Sequence, residues 1–139
     1  MTDYKTLFDM KDRIALVVGA GSGIGRCSAM CLAQFGAHVI CADLQLKKAQ
    51  CVSDEIHHQG GSAEIVELDI RSTENIATAL KKTDPPDVLV STPSINIRKP
   101  LLEYTDQDYD TVVDLNLTGT FRLVREVARS MTENNGGSI

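Results

Sequence analysis

Four glycines follow a short apolar run near the start of the chain, in the stretch VVGAGSGIGR. Gly19, Gly23 and Gly25 are spaced G-x-x-x-G-x-G, with Ser22 and Ile24 between them. Glycine permits a turn with positive φ and lets the backbone approach a phosphate closely. Free N–H groups at the start of a following helix can then bind a pyrophosphate. The strict G-x-G-x-x-G spacing is absent, but a strand before the turn and a helix after it favour dinucleotide binding over a merely tight turn.

An acidic residue, Asp43, ends the next predicted strand. A carboxylate at that point can accept hydrogen bonds from the hydroxyls of an adenosine ribose, and it would repel a 2′-phosphate. The following residue is Leu44, so no basic neighbour in the chain is available to pair with such a phosphate. The other interpretation of Asp43 is an N-cap for the next helix, and the two roles are compatible. The pattern predicts NAD as the cofactor and disfavours NADP.

A second acidic residue, Asp69, ends the third predicted strand in the stretch ELDI. Its carboxylate could accept a hydrogen bond from the amino group of adenine, with Ile70 lying against the ring. Capping of the following helix, for which Ser72 and Thr73 are also candidates, is an equal alternative for this carboxylate.

Strands alternate with helices along the chain. Apolar runs predict four strands, in RIALVVGA, AHVICAD, AEIVELD and DVLVS. The first two helices should carry apolar stripes: Ile24, Cys27, Cys31, Leu32 and Phe35 in one, and Leu46, Ala49, Val52 and Ile56 in the other. This alternation predicts an α/β fold with a Rossmann-like, doubly wound parallel sheet, truncated after about four strands.

A long helical stretch should begin at Thr105 or Asp106, and Gly119 should loosen it locally. Its predicted apolar stripe comprises Tyr109, Val113, Leu117, Phe121, Val124, Ala128 and Met131. The last residues, ENNGGSI, indicate a turn followed by the start of another strand at Ser138. We therefore expect one incomplete domain over residues 1–139.

Composition excludes several classes of function. The net charge is −5 with acidic and basic residues mixed, which argues against a nucleic-acid partner. No apolar run approaches the roughly 20 residues of a membrane span, and the N-terminus lacks the apolar region of a signal peptide, so we expect a cytoplasmic protein. The four cysteines form no C-x-x-C pair, which predicts no metal site; Cys27, Cys31 and Cys41 are expected to be small buried residues.

The motifs VGAGSGIG, ADL, LDI, DVLV and DLNLTGTF together resemble the short-chain dehydrogenase/reductase family, from about Leu7 to the last residue. The resemblance implies hydride transfer between a nicotinamide cofactor and a small alcohol or carbonyl substrate. The stretch INIRKPLLEYT is similar to polyol and sugar-acid dehydrogenases of the family. The resemblance also implies that Asn116 is the catalytic asparagine, which holds a water in a proton relay to the active-site lysine. The alternative is an asparagine that is satisfied by local partners.

Two stretches depart from the family pattern. Val18 stands where the family usually has a threonine, whose hydroxyl ties the glycine turn together. Ser91, Thr92, Pro93 and Ser94 replace the usual N-N-A-G loop after the fourth strand, where Ser91 is an expected cofactor contact. Proline removes an N–H donor and serine adds volume where glycine is usual. We therefore expect the backbone at 93–94 to bulge away from the path that a glycine would permit.

The family's Tyr-x-x-x-Lys pair cannot be mapped onto this chain. Four positions after Tyr4, Tyr104 and Tyr109 stand Phe8, Asp108 and Val113. We expect the cofactor half of an NAD-dependent oxidoreductase that forms a homo-oligomer. The 139-residue chain alone should be inactive and prone to self-association, through the open edge of the fourth strand and through the stripe of Val113, Leu117, Phe121 and Val124. A non-catalytic nucleotide-binding or regulatory protein on the same fold is the alternative. A flavodoxin-like domain explains less, because it does not account for Asp43 and NLTG together.

Overall fold

The computed structural model describes residues 7–139, so Tyr4 and the start of the expected N-terminal segment lie outside the described residues. In this described part of the chain, four strands form one parallel sheet, with β1 at Ile14–Val18, β2 at His38–Asp43, β3 at Ser62–Glu67 and β4 at Val88–Ser91. The strand order is β3-β2-β1-β4. The predicted α/β class and Rossmann-like parallel sheet are confirmed. Within the described residues, no helix combines the length and hydropathy needed to cross a membrane.

Within residues 7–139, five α-helices connect or follow the strands: α1 at Gly23–Gln34, α2 at Leu46–His58, α3 at Thr73–Leu80, α4 at Asp106–Val113 and α5 at Thr120–Glu133. The core has two layers, one on each face of the sheet, because side chains alternate along a strand. In β1, Leu16 packs into the layer that contains α3 and α5, whereas Val17 packs into the layer that contains α1 and α2. The sheet is thus covered by helices on both faces.

The predicted apolar stripe of α1 is wrong in its orientation. Ile24 is 77% exposed, and Cys27 and Cys31 are also exposed. The buried face of α1 consists of small residues instead, namely Gly25, Ala29 and Ala33. Small side chains let the helix lie close to the sheet, and a pattern of large apolar residues does not detect such a face. Of the three cysteines expected to be buried, only Cys41 on β2 is.

The long helical stretch begins with a capping box, in which Thr105 and Asp108 each bind the other's backbone N–H. Between α4 and α5, residues Asp114–Gly119 form a π-helical segment, so the predicted local loosening at Gly119 is confirmed. A π turn rotates the residues after it relative to those before it. The predicted stripe is therefore wrong in part. Met131 is buried as predicted, but Leu117 and Phe121 are mostly exposed, and Leu123 and Val127, which lie outside the predicted stripe, are buried instead.

The end of the chain returns to the sheet beside β4. Asn135 and Gly136 have positive φ values of 72° and 91°, as the predicted turn requires. Ser138 then forms an isolated parallel bridge with Val88, in which its N–H donates to the Asp87 carbonyl at 2.9 Å. The strand predicted to start at Ser138 is present as this single bridge.

Candidate functional site

A cleft of about 520 Å³ lies at the carboxyl ends of β1, β2 and β4. In open parallel sheets, ligands bind beyond the carboxyl ends of the strands, at the point where the strand order reverses. Here that point lies at β1, because β2 and β3 lie on one side of it and β4 lies on the other. Eight of the predicted cofactor contacts line the cleft: Gly19, Ser22, Gly23, Ile24, Gly25, Asp43, Asp69 and Ile70. Ser91 does not line it; this residue ends β4 and pairs in register with Val18.

The glycine turn has the conformation that its sequence predicts. Gly19 and Gly23 have positive φ values of 80° and 52°. Gly25 must lack a side chain, because a Cβ there would lie 2.1 Å from the Gly19 carbonyl oxygen. Ser22 is the N-cap of α1 but makes no capping bond with its side chain. The first N–H groups of α1 have no intrahelical partners, so they are available to an anion.

The Asp43 carboxylate ties the end of β2 to the glycine turn. Its Oδ2 accepts a hydrogen bond of 3.0 Å from the Gly21 N–H, and its Oδ1 accepts one of 2.8 Å from the Gln45 N–H. Helix α2 begins at Leu46 with Gln45 as its N-cap, so the interpretation of Asp43 as the N-cap is wrong. The carboxylate is fixed in position at the cleft, and its remaining lone pairs can accept hydrogen bonds from hydroxyl groups.

Lys48 also lines the cleft, and sequence reasoning missed it. A Cβ built on Gly21 would lie 2.5 Å from the Lys48 Cβ and 2.8 Å from the Asp43 Oδ2. The lysine and the aspartate therefore flank the same glycine. We expected no cation near Asp43 because Leu44 follows it in the chain, but the first turn of α2 brings a lysine back to the site. The helical spacing from the predicted helix start was the signal that could have revealed it.

Asp69 lies at the cleft, two residues after the end of β3. Its carboxylate accepts hydrogen bonds from the Arg71 side chain, at 2.9 Å from Nε and 2.7 Å from a terminal nitrogen. These bonds hold the pKa of Asp69 below its ordinary value, so the carboxylate is ionised at neutral pH. Helix α3 is capped by Ser72, whose hydroxyl accepts from the Asn75 N–H at 3.1 Å. The interpretation of Asp69 as the helix cap is therefore wrong.

Ile70 is 3% exposed and packs against the π-helical segment, where a Cβ on Gly119 would lie 2.9 Å from its side chain. It lines the floor of the cleft with Leu68 and Leu115. An apolar floor of this kind suits a planar ring.

The loop after β4 forms another wall of the cleft. Thr92 Oγ1 donates a hydrogen bond of 2.9 Å to the Val18 carbonyl, and Pro93 and Ser94 line the cavity beyond it. Further along, both ends of the Asn116 carboxamide bind the backbone of Ile95: Oδ1 accepts from its N–H and Nδ2 donates to its carbonyl, each at 2.9 Å. Asn116 thus has the local partners of the alternative interpretation, and its side chain does not line the cleft.

In residues 7–139, no group of three or more histidine, cysteine or acidic side chains could hold a metal ion. The cleft is lined by backbone N–H groups at a helix start, by a carboxylate beside them and by apolar side chains. These groups match a pyrophosphate, a ribose and a ring, respectively.

A family model described as short chain dehydrogenase matches residues 13–139. The 5-keto-D-gluconate 5-reductase of Escherichia coli K12 is 28% identical over 96% of this chain and 54% of its own length. A short-chain type dehydrogenase/reductase from Mycobacterium marinum superposes with a TM-score of 0.93, at 28% identity, over 98% of this chain and 57% of that one. A 3-oxoacyl (acyl-carrier-protein) reductase from Agrobacterium tumefaciens, solved with NADP bound, superposes with a TM-score of 0.86, at 30% identity, over 96% of this chain and 54% of that one. The chain spans about half the length of the curated relatives it matches.

Proposed function

The chain belongs to the short chain dehydrogenase family, and we propose that it forms the cofactor-binding part of an NAD-dependent oxidoreductase. The observation that carries the cofactor assignment is the Asp43 carboxylate, held at the cleft by the N–H groups of Gly21 and Gln45. Those two bonds fix the carboxylate beside the glycine turn, where it would accept from a ribose diol and would repel a 2′-phosphate.

The pyrophosphate, the adenosine ribose and the adenine would each be bound by a group of this chain. The N–H groups at the start of α1, after Ser22, would hold the pyrophosphate. Asp43 would accept from the ribose hydroxyls, and Ile70 with Asp69 would contact the adenine. When bound, the nicotinamide would supply the hydride acceptor or donor of the reaction.

We propose that Asn116 positions the loop after β4, in addition to holding a water of the proton relay that the family resemblance implies. Its carboxamide fixes the Ile95 backbone, so it holds the loop that carries Pro93 and Ser94 along the cleft. General acid and base chemistry needs a titratable group at the substrate. The described tyrosines, Tyr104 and Tyr109, have no lysine four residues later, so turnover is proposed for the longer polypeptide and not for this chain alone.

The proposed substrate is a small alcohol or carbonyl compound, with polyols and sugar acids as the first class to test. Support comes from the stretch INIRKPLLEYT and from the Escherichia coli relative, which is named for a keto sugar acid. A homo-oligomer is proposed because Leu117 and Phe121 are 67% and 59% exposed on neighbouring turns. The second candidate is a non-catalytic nucleotide-binding protein, which the Pro93–Ser94 departure from the family loop favours.

The coding sequence after Ile139 and an assay of its full product separate the two candidates. We expect a Tyr-x-x-x-Lys motif in the continuation, and oxidation of NADH by one or more keto sugar acids or polyol-derived ketones. A full product without that motif, with no turnover on either substrate class, would favour the non-catalytic protein.

A further inference from the structure

We propose that Lys48 is a specificity-determining residue that sets how strongly the cleft discriminates against a 2′-phosphorylated nucleotide. The inference rests on the proposed function, since it concerns the adenosine end of the same cleft. Asp43 alone would exclude a 2′-phosphate by charge repulsion. A lysine beside it reduces that repulsion, so NADPH should bind more tightly than the aspartate by itself would allow.

The position of Lys48 is fixed by the start of α2. The Lys48 N–H donates to the Gln45 carbonyl at 2.8 Å, which closes the first turn of the helix. Gln45 is in turn held by the Asp43 carboxylate. The turn thus carries the lysine back toward Gly21, the residue whose N–H also binds Asp43. The absence of a side chain at Gly21 is what allows the two to come together, because a Cβ there would collide with both.

The charges around the cleft leave Lys48 available to a ligand. Two other cations near the site are already engaged: Arg26 pairs with Glu55 of α2, and Arg71 pairs with Asp69. Across residues 7–139, Lys48 makes no ion pair within 4 Å, and no other lysine or arginine lines the cleft. The neighbouring Lys47 lies outside the cleft lining, which makes it a matched control.

The expected effect is modest, because the ammonium is exposed to solvent. Lysine carries a compact charge on a flexible stem, which can reach a phosphate without a fixed geometry. Exposed charge pairs are screened by water and salt, so the removal of one charge should change the affinity for a phosphate about two- to fivefold. NADH lacks the 2′-phosphate and should respond by less than about twofold.

The test is equilibrium titration of the wild-type chain, Lys48→Gln and Lys47→Gln with NADH and with NADPH, at low and high salt. We expect Lys48→Gln to weaken NADPH binding about two- to fivefold and to lower the salt dependence of that binding, with NADH affinity nearly unchanged. Lys47→Gln should leave the ratio of the two dissociation constants as it is in the wild type. Circular dichroism checks that all three proteins are folded.

The outcomes separate this inference from the function it rests on. Both nucleotides could bind while Lys48→Gln changes the ratio of their dissociation constants no more than Lys47→Gln does. In that case the proposed role of Lys48 is wrong, but the proposed cofactor site is still supported. If the folded wild-type chain binds neither nucleotide, the proposed function is wrong and this inference is wrong with it.

Discussion

The Thr92 side chain donates a hydrogen bond of 2.9 Å to the Val18 main-chain carbonyl. The Thr92 N–H donates to the same carbonyl at 3.1 Å, so one residue at the end of β4 holds the last carbonyl of β1 twice. A Cβ built on Gly19 would lie 2.6 Å from this hydroxyl, and one built on Gly25 would lie 2.7 Å from it. Thr92 therefore packs directly against the glycine turn and fixes the position where the turn begins.

We expect Thr92→Val to weaken NADH binding about fivefold and to lower the free energy of unfolding by about 1 kcal/mol, because it removes one hydrogen bond with little change of shape. Thr92→Ser keeps the hydroxyl and should restore most of the binding. Thr83→Val is the control, since the Thr83 hydroxyl bonds only to the Leu80 carbonyl, at 3.4 Å. Wild-type NADH affinity in Thr92→Val, measured by fluorescence titration, would show that the hydroxyl does not position the turn.

Gly25→Ala should abolish nucleotide binding and cost about 3 kcal/mol or more of stability, because its Cβ would meet a backbone carbonyl that cannot move aside. Gly60→Ala tests the contribution of backbone strain alone. Gly60 has a φ of 81° with no atom near the added Cβ, so this change should cost only about 1 kcal/mol. Urea denaturation gives both values, and equal losses in the two variants would contradict the close contact at Gly25.

Thiol labelling tests the revised orientation of α1. Cys27, Cys31 and Cys51 are exposed and should react quickly with a chromogenic disulfide at pH 8. Cys41 is buried, and burial raises its pKa to about 12, so its reactive thiolate is scarce until the chain unfolds. Three fast thiols and a fourth that reacts only in denaturant are expected. Protection of Cys27 and Cys31 in a monomer would support the original, inward-facing stripe.

Ser94→Gly should tighten NADH binding about two- to fivefold if the serine and Pro93 push the loop into the cofactor's path. Both residues line the cleft, and glycine restores the backbone freedom that the family usually has at this point. Ser62→Gly, at the start of β3 and away from the cleft, controls for added chain flexibility. An unchanged or weaker affinity in Ser94→Gly would show that the loop already has a suitable path.

Much of the fold was predictable from the sequence because β-branched runs and helical periodicity alternate clearly. The glycine turn and Asp43 were predictable for the same reason, since each follows directly from a strand end. The buried face of α1 was not predictable, because Ala29 and Ala33 form its contact with the sheet and such small side chains do not stand out as an apolar stripe. The buried face of α5 was predictable only in part: Met131 is buried as expected, but the π-helical segment at Asp114–Gly119 shifts the apolar face of the helix.

The site residues that sequence reasoning missed are those that reach the cleft from elsewhere in space. Lys48 returns to Asp43 through a helical turn, and Thr92 reaches Val18 across two paired strands. The family pattern has a threonine hydroxyl at the position of Val18, which this sequence lacks. The pairing of β1 with β4 brings the Thr92 hydroxyl to the Val18 carbonyl, and the sequence alone does not reveal that contact. Contacts between distant parts of the chain depend on that register, which periodicity does not specify.

We propose that Asp43 selects a nucleotide without a 2′-phosphate, and titration with NADH and with NADPH measures that selection. The wild-type chain should bind NADH at least about tenfold more tightly than NADPH, which corresponds to about 1.4 kcal/mol of repulsion. Asp43→Asn should narrow that gap, whereas Asp54→Asn, which removes an exposed carboxylate elsewhere on α2, should leave it unchanged. Equal affinities in the wild-type chain, or tighter binding of NADPH, would show that Asp43 does not exclude a 2′-phosphate.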